Sequence, residues 1–276
     1  MIMKTSVRER IPGLVLLFGT MIFSILPLLS MLTAALQPQG TVPLGLSWPA
    51  NPQWHNFLDA WRVAEVTPLL VSSIILVAGV VPVAALFAAM AGYALGQLKI
   101  PGGTVVFLLL LLGLTLPKEA TIVPLYYQLR EMNLLNTRLG LILVLIGTFM
   151  PFAVFWMRAH FLSMPKELTE AADLDGAGPW QAFRHIQIPL AVPALASLCL
   201  LLFLWTWNTF LQAIVLIDDP SKRTMAGALQ NFVGQYSTDV VLLNAGSLLI
   251  MAPTVVVFLL FQRHFVKAMI AGAVKG

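Results

Sequence analysis

Charge is what this sequence has least of. Of its 276 residues only 10% are Asp, Glu, Lys or Arg, against 59% hydrophobic, and the mean hydropathy is +0.87. A soluble domain carries about a quarter charged residues, so the scarcity excludes a water-soluble globular protein and predicts a chain embedded in a membrane. No charged residue falls in the central part of any long apolar run. Ion- and proton-coupled transporters carry ionisable groups at that depth, so such coupling is not written here. The four histidines, His55, His160, His185 and His264, lie in loops or at helix ends, which leaves an intramembrane protease without a base or ligand at depth. No GxxxxGK[ST] and no HExxH occurs, so nucleotide hydrolysis and zinc-dependent proteolysis both lack their motifs. The chain is expected to be no enzyme, with no metal and no cofactor. Cys199 is the single cysteine; it excludes a disulfide within the chain and reads as a small buried hydrophobe.

What is present is six apolar intervals, at about 11–36, 67–95, 104–125, 139–157, 190–217 and 243–262. Each meets or approaches the ~20 residues a helix needs to span the hydrocarbon. They do not alternate apolar with polar residues, which excludes a β-barrel. The expected fold class is all-α, a polytopic membrane protein of six transmembrane helices. The first run follows Lys4, Arg8 and Arg10, but its uncharged stretch from Ile11 to Leu36 exceeds the ~7–15 residues of a signal peptide's apolar region, so it reads as a retained anchor. With the N-terminus inside, the inner segments hold ten Lys and Arg residues and the outer segments six. The positive-inside rule then puts both termini in the cytoplasm. The net charge of +4 follows from that topology and calls for no nucleic acid.

Between the first two runs, Trp54-His-Asn-Phe-Leu-Asp-Ala-Trp61 reads as a short helix at the outer interface, an aromatic anchor or a solute contact. Lys99-Ile-Pro-Gly-Gly103 is a tight inner turn. Pro117, Lys118 and Glu119 mark where the third run bends or emerges, with the charged pair read as a solvated anchor in preference to a gate. The fifth run carries the most polar chemistry, Trp205-Thr-Trp-Asn-Thr-Phe210 and then Gln212. On an uninterrupted helix Asn208 and Gln212 share a face, with Trp205 one turn before Asn208. Trp205, Trp207, Asn208 and Gln212 suit a sugar, because indoles stack on C–H surfaces and amides hydrogen-bond hydroxyls. They suit inter-helix hydrogen bonding and interfacial anchoring equally well. The fifth run offers no Arg or Lys for a phosphate, which leans toward a neutral solute.

The longest polar interval closely flanked by apolar runs is 163–189. It reads as two short helices with a turn between them. Ser163 would cap the first, Pro165 and Glu167 suit its first turn, and Leu168, Ala171 and Ala172 give it a narrow apolar stripe. Gly176 would stop it in the left-handed conformation, and Pro179 would begin the second. Trp180, Phe183 and Ile186 repeat at i+3 as a second apolar face, and Pro189 would end it. Uphill movement by a chain with no energy source needs a partner, and this hairpin is the only large polar inner surface to receive one.

At these residues the sequence resembles the inner-membrane permease subunits of binding-protein-dependent ABC importers. Glu170-Ala-Ala-Asp-Leu-Asp-Gly176 followed by Ile186-Gln-Ile-Pro189 is similar to that family's EAA loop, with Ile188 where Leu is usual. Pro117 through Pro124-Leu-Tyr126, with Leu134-Leu-Asn-Thr137 beyond, is similar to the third-span exit of the carbohydrate-uptake, MalG-like branch. Trp207-Asn-Thr-Phe210 resembles its Trp-Asn-x-Phe signature, and Ala271-Gly-Ala-Val-Lys-Gly276 its tail. Thr209 stands where an acidic residue is common, and Ala268-Met-Ile270 replaces Gly-Leu-Thr before the tail.

The resemblance implies a type I importer (MetI-like) fold: residues 1–66 as first helix and outer loop, 67–262 as core, 263–276 as cytoplasmic tail. It implies a multi-pass place in the cytoplasmic (inner) membrane, surrounded by lipid. It also implies a second related permease subunit, a cytoplasmic ATP-binding subunit dimer and an extracytoplasmic solute-binding protein as partners. Glu170, Ala171, Ala172, Asp173, Gly176, Trp180, Phe183, Ile186 and Pro189 would then form a coupling helix seated on the ATPase. Solutes other than a sugar (glycerol-phosphate derivatives, polyols or peptides) and a non-transporting six-span scaffold are the competing readings.

Overall fold

The computed structural model describes the backbone of residues 7–165, 167–232 and 238–273, and the side chains within these other than 7–10, 173 and 263–273. Its helices are α1 Val7–Ala35, α2 Asn56–Val63, α3 Val66–Gln97, α4 Gly103–Thr115, α5 Ile122–Glu131, α6 Arg138–Leu162, α7 Glu167–Leu174, α8 Pro179–Trp207, α9 Leu211–Leu216 and α10 Val240–Ala273. Among the described residues five helices are long and apolar enough to cross a membrane, and α4 with α5 makes a sixth if that bent pair is one broken span. The helices divide into two compact units, Met1–Val66 with Leu229–Ala252 and Thr67–Ala228 with Pro253–Gly276.

In the first unit α1 is exposed through most of its length, as a helix facing lipid is, and only its last turn, from Thr33, is buried. The outer segment is closed on itself by Asn56, which is fully buried. Its Nδ2 donates to the carbonyls of Ala35 and Gln37, both at 2.8 Å, and its Oδ1 accepts from Gln39 Nε2 at 3.1 Å. α2, Asn56–Val63, overlaps the expected 54–61 stretch, beginning after Trp54 and running past Trp61. Gly246 of α10 has no room for a side chain, since a Cβ there would lie 2.4 Å from the Phe232 ring.

The second unit is built on α3, α6 and α8. Leu76, Val80, Ala84 and Ala88 recur every four residues as one buried stripe of α3. Leu141, Leu145, Phe149, Ala153, Met157 and Phe161 of α6 join it in the same core, as do Ala191, Leu198 and Leu202 of α8. In lipid, apolar burial alone does not drive helices together, so close backbone approach and dispersion must do it. At Gly92 α3 approaches the backbone of α6: a Cβ there would meet Met157 Cβ at 2.7 Å and the Arg158 backbone nitrogen at 2.8 Å.

Three of the six expected spans run differently from their sequence outline. The third, 104–125, is not one helix: α4 stops at Thr115, and α4 and the segment from Lys118 to Glu131 are bent by 97°. Leu116 is extended (φ −76°, ψ 124°), as a residue before proline prefers, and Pro117 is extended too (ψ 124°). The fifth, 190–217, ends at Trp207. Asn208 Nδ2 donates to the Leu204 carbonyl and Thr209 Oγ1 to the Trp205 carbonyl, both at 2.8 Å, so side chains compete with the backbone where the helix stops. The last, 243–262, extends over Val240–Ala273 and carries Pro253 inside it.

Candidate functional site

The inner elbow begins differently from its sequence outline. Ser163 does not cap α7; it closes α6, its backbone N–H donating to the His160 carbonyl at 3.0 Å and its Oγ to the same atom at 2.8 Å. Met164, nine-tenths buried, pins the turn, and α7 starts only at Glu167. Glu167 and Glu170 occupy its first turn, where carboxylates favour the positive helix end, and both are exposed. The expected stripe divides: Ala172 is buried, while Leu168 and Ala171 face outward with Glu170. Asp173 belongs to α7, but its side chain lies outside the described residues.

Gly176 has φ +76° with open space around its Cα, and it turns the chain as expected. Ala177 N–H donates back to the Ala172 carbonyl at 2.9 Å, which ties off the end of α7. Pro179 opens α8, and the Gln181 side chain accepts from Gly178 N–H at 2.9 Å.

Pro189 does not end this helix. Residues Phe183–Gln187 form a π turn, and Ile188 N–H donates five residues back to the Phe183 carbonyl. The wider turn shifts the register where the Pro189 ring would otherwise collide with the carbonyl four residues earlier, so α8 continues to Trp207. The second half of the elbow is therefore the inner end of the fifth span itself.

Aromatic and amide side chains fasten the elbow to α3 and α6. The Phe183 ring is buried 5.1 Å from Tyr93 and 5.4 Å from Trp180, and the Tyr93 hydroxyl donates to the Pro179 carbonyl at 3.2 Å. Gln187 is fully buried, and its Nε2 donates to Thr169 Oγ1 at 3.1 Å. That hydroxyl lies 3.5 Å from Gln97 Oε1, and Gln97 Nε2 donates to the Phe161 carbonyl. One chain of polar contacts thus joins α7, the π turn, the C-terminal end of α3 and the C-terminal end of α6. Gln187 Oε1 is buried with no hydrogen-bond partner. Ile186 is half-buried, whereas Trp180 is 58% and Leu174 89% exposed, so the elbow keeps large apolar side chains at its surface beside its carboxylates. Sequence reasoning missed Tyr93, Gln97, Thr169 and Gln187; a lone amide inside Ile186-Gln-Ile-Pro189 was the available signal for the last.

The second cluster forms where α4 breaks. Lys118 does not stand alone as a solvated anchor. Its Nζ lies 5.3 Å from the Phe149 ring centroid and 5.5 Å from that of Trp205, within cation–π range. Trp205 also packs edge-on against Phe152 at 4.9 Å. A cavity of about 460 Å³ between α4, α5 and α6 has Lys118, Thr121, Gln128 and Thr148 as its polar lining. The other expected pathway residues are not gathered there. Trp207 is buried beside Phe203, Asn208 is exposed with its amide closing the end of α8, and Gln212 lies beyond the break on α9. The shared face expected for Asn208 and Gln212 needs an unbroken helix and is lost. The fifth run itself offers no Arg or Lys, as read from the sequence, but Lys118 reaches its Trp205 from the third.

At the N-terminal end of α6, Arg138 holds it against α3 and the 217–225 loop. Its Nε donates to Ser72 Oγ at 2.9 Å, its Nη2 to the Ser221 carbonyl at 3.2 Å, and Ser72 Oγ donates to the Lys222 carbonyl at 2.6 Å. Asp219 pairs with Lys222 at 3.1 Å; the Ser221 hydroxyl first, then the Lys222 ammonium and the Ser221 N–H, hold its carboxyl below the ordinary range.

Comparison with known proteins covers nearly the whole chain. The family model described as "Binding-protein-dependent transport system inner membrane component" matches residues 2–271. The diacetylchitobiose uptake system permease protein NgcG of Streptomyces coelicolor is 33% identical, over 91% of this chain and 82% of that one. The trehalose transport system permease protein SugB of Mycobacterium tuberculosis is 33% identical, over 92% and 93%. A probable ABC transporter permease protein of Bacillus subtilis, YurM, is 35% identical over 95% of this chain and 87% of its own. Among solved structures, a bacterial ABC transporter involved in the import of the acidic polysaccharide alginate superposes with a TM-score of 0.78, covering 95% of this chain and 99% of that one at 23% identity. That likeness shows the fold, a type I importer permease.

Proposed function

The chain belongs to the family of binding-protein-dependent transport system inner membrane components, and from that membership we propose that it is a transmembrane subunit of an ATP-driven sugar importer. The names of its relatives support a saccharide as the solute. A second permease subunit, a pair of cytoplasmic ATPase subunits and an extracytoplasmic binding protein complete the machine, with both termini of this chain in the cytoplasm.

The observation that carries the coupling reading is the continuity of α8 through Pro189. Because the helix does not stop there, a force on Trp180 or Phe183 acts on the same rigid rod that ends at Trp207. Glu170, with Ala171 beside it, faces outward on α7 to meet a partner, while Ala172, Phe183 and Gln187 hold the elbow from behind. Gly176 sets the angle between the halves, and Asp173 and Ile186 complete the segment. When ATPase subunits close on ATP, an elbow seated in them moves inward and carries α8 against α6, so the pathway changes the side to which it opens. Trp205, Trp207, Asn208 and Gln212 are assigned to the outer half of that pathway, with Trp205 the contact and the other three its frame.

The experiment is reconstitution of the four-component complex in liposomes with and without ATP. Concentrative sugar uptake that needs ATP and binding protein is expected. Accumulation by this chain alone, or downhill flux indifferent to ATP, would refute the reading.

A further inference from the structure

Lys118 occupies an unusual place for an ionisable side chain. α4 leaves the inner turn at Gly103 and stops after 13 residues, about 20 Å along its axis, short of the ~30 Å of a hydrocarbon core. Lys118–Thr121 then forms a single 3-10 turn. Irregular backbone at membrane depth is tolerated only inside protein or beside a water-filled cavity, and Lys118 lines the cavity that the bend leaves.

The ammonium does not reach for the membrane surface. It lies over Phe149, eleven residues along α6 from Arg138 at its outer end, which is about 16 Å of helix. A lysine that snorkels to a lipid phosphate points away from such a position. Among the described residues no carboxylate pairs with it, the adjacent Glu119 included. The faces of Phe149 and Trp205 meet the ammonium but leave its charge uncompensated, and the side chain stays accessible beside the cavity. An ionisable group at this depth with no protein counter-ion calls for one from elsewhere.

We propose that Lys118, held over Phe149 and Trp205, is a solute contact that selects a saccharide bearing an anionic group, a carboxylate or a phosphate. This rests on the importer reading above. The ammonium pairs with the anionic group, and the rings meet the C–H face of the sugar.

The test is uptake by the complete complex in liposomes, with its binding protein. Three labelled probes are used: a glucuronate-containing disaccharide, its carboxyl-reduced neutral counterpart, and glucose 1-phosphate. Uptake of at least one anionic probe is expected, falling about tenfold or more in Lys118→Met, as loss of a charge-assisted hydrogen bond implies. Lys118→Arg keeps most of it. Lys118→Met is expected to insert into the membrane and assemble with its partners in wild-type amount. Accumulation of the neutral disaccharide alone overturns the proposal, as does anionic uptake that Lys118→Met leaves intact. An equal fall for acidic and neutral sugars also overturns it, since that marks a purely structural lysine. If the wild-type complex accumulates no probe with ATP, the importer reading fails and this inference with it.

Discussion

Two prolines in this chain stand at bends and do opposite things. Pro189 lies at the second position after a π turn, and the helix passes through it; Pro117 follows an extended Leu116, and the helix ends. The difference is set by what surrounds each ring. Behind Pro189, Phe183 and Gln187 are buried against α3 and α7, so the backbone keeps helical dihedrals and absorbs the ring by widening one turn. Pro117 has no such enclosure, since residues 114–120 are exposed, and the chain takes the conformation that proline prefers. The first bend leaves one continuous helix from Pro179 to Trp207. The second leaves a cavity with Lys118 in its lining.

The largest expected effect comes from breaking the lever at its corner. Proline cannot adopt the φ of +76° at Gly176, so Gly176→Pro must rebuild the turn between α7 and α8. The variant is expected to insert into the membrane, and ATP-driven uptake by the complex is expected to vanish. Glu170→Lys, which reverses an exposed charge and disturbs no buried contact, should do the same through the ATPase interface. Wild-type uptake in both would remove the elbow from the mechanism.

Next in size is the Gly92 crossing. Gly92→Leu puts a side chain where even a Cβ would sit 2.7 Å from Met157. Overpacking of that kind costs about 1–3 kcal/mol, read as a lower thermal midpoint of the detergent-solubilised complex. An unchanged midpoint would mean that α3 and α6 are not held at this distance.

Gln187 sharpens the comparison, because it separates stability from coupling. Gln187→Leu removes a buried amide that leaves one oxygen unsatisfied and deletes the link to Thr169. A satisfied hydrogen bond and an orphaned acceptor each amount to about 1 kcal/mol and act in opposite directions, so stability should move little. Sugar transported per ATP hydrolysed should nevertheless fall several-fold, as α7 loses its tie to the π turn. A lower melting point with an unaltered transport-to-hydrolysis ratio would assign Gln187 to packing alone.

Local rules made much of this legible. Long apolar runs are a direct record of bilayer thickness, and Gly176 and Pro179 act through their own backbone chemistry, so both could be read from neighbouring residues. What escaped were outcomes decided at a distance. Pro189 looked like a stop because the pattern cannot reveal that Tyr93, Gln97 and Thr169 enclose the turn before it. Ser163 looked like a cap for α7 because an N-cap and a helix-closing residue share the same composition. Asn208 and Gln212 looked like one face because hydroxyls and amides bonded to the preceding turn leave no mark on helical spacing. The contacts of Lys118 with Phe149 and Trp205 were the largest omission. Lys118 lies far in sequence from Trp205, and only the break at Pro117 brings the two together.

The smallest effect belongs to the outer loop, where the polar contacts around Asp219 are neither buried like those of the elbow nor open like the cavity. Its carboxyl is held below its ordinary value of 3.8 by Ser221 and Lys222. A carboxyl with a lowered folded pKa contributes stability above its unfolded value, and that contribution is lost as pH falls through the folded one. The loss is therefore confined to the acid side of 3.8, and at neutral pH the group stays fully ionised. Asp219→Asn keeps a side chain able to accept from Ser221 N–H but loses the ion pair with Lys222, which is exposed and salt-screened. Thermal midpoints measured against pH should show the wild type and Asp219→Asn nearly parallel from neutral pH down to about 4. Below that the wild-type curve should fall toward that of the variant. A divergence centred near neutral pH would assign the outer loop's pH response to another group.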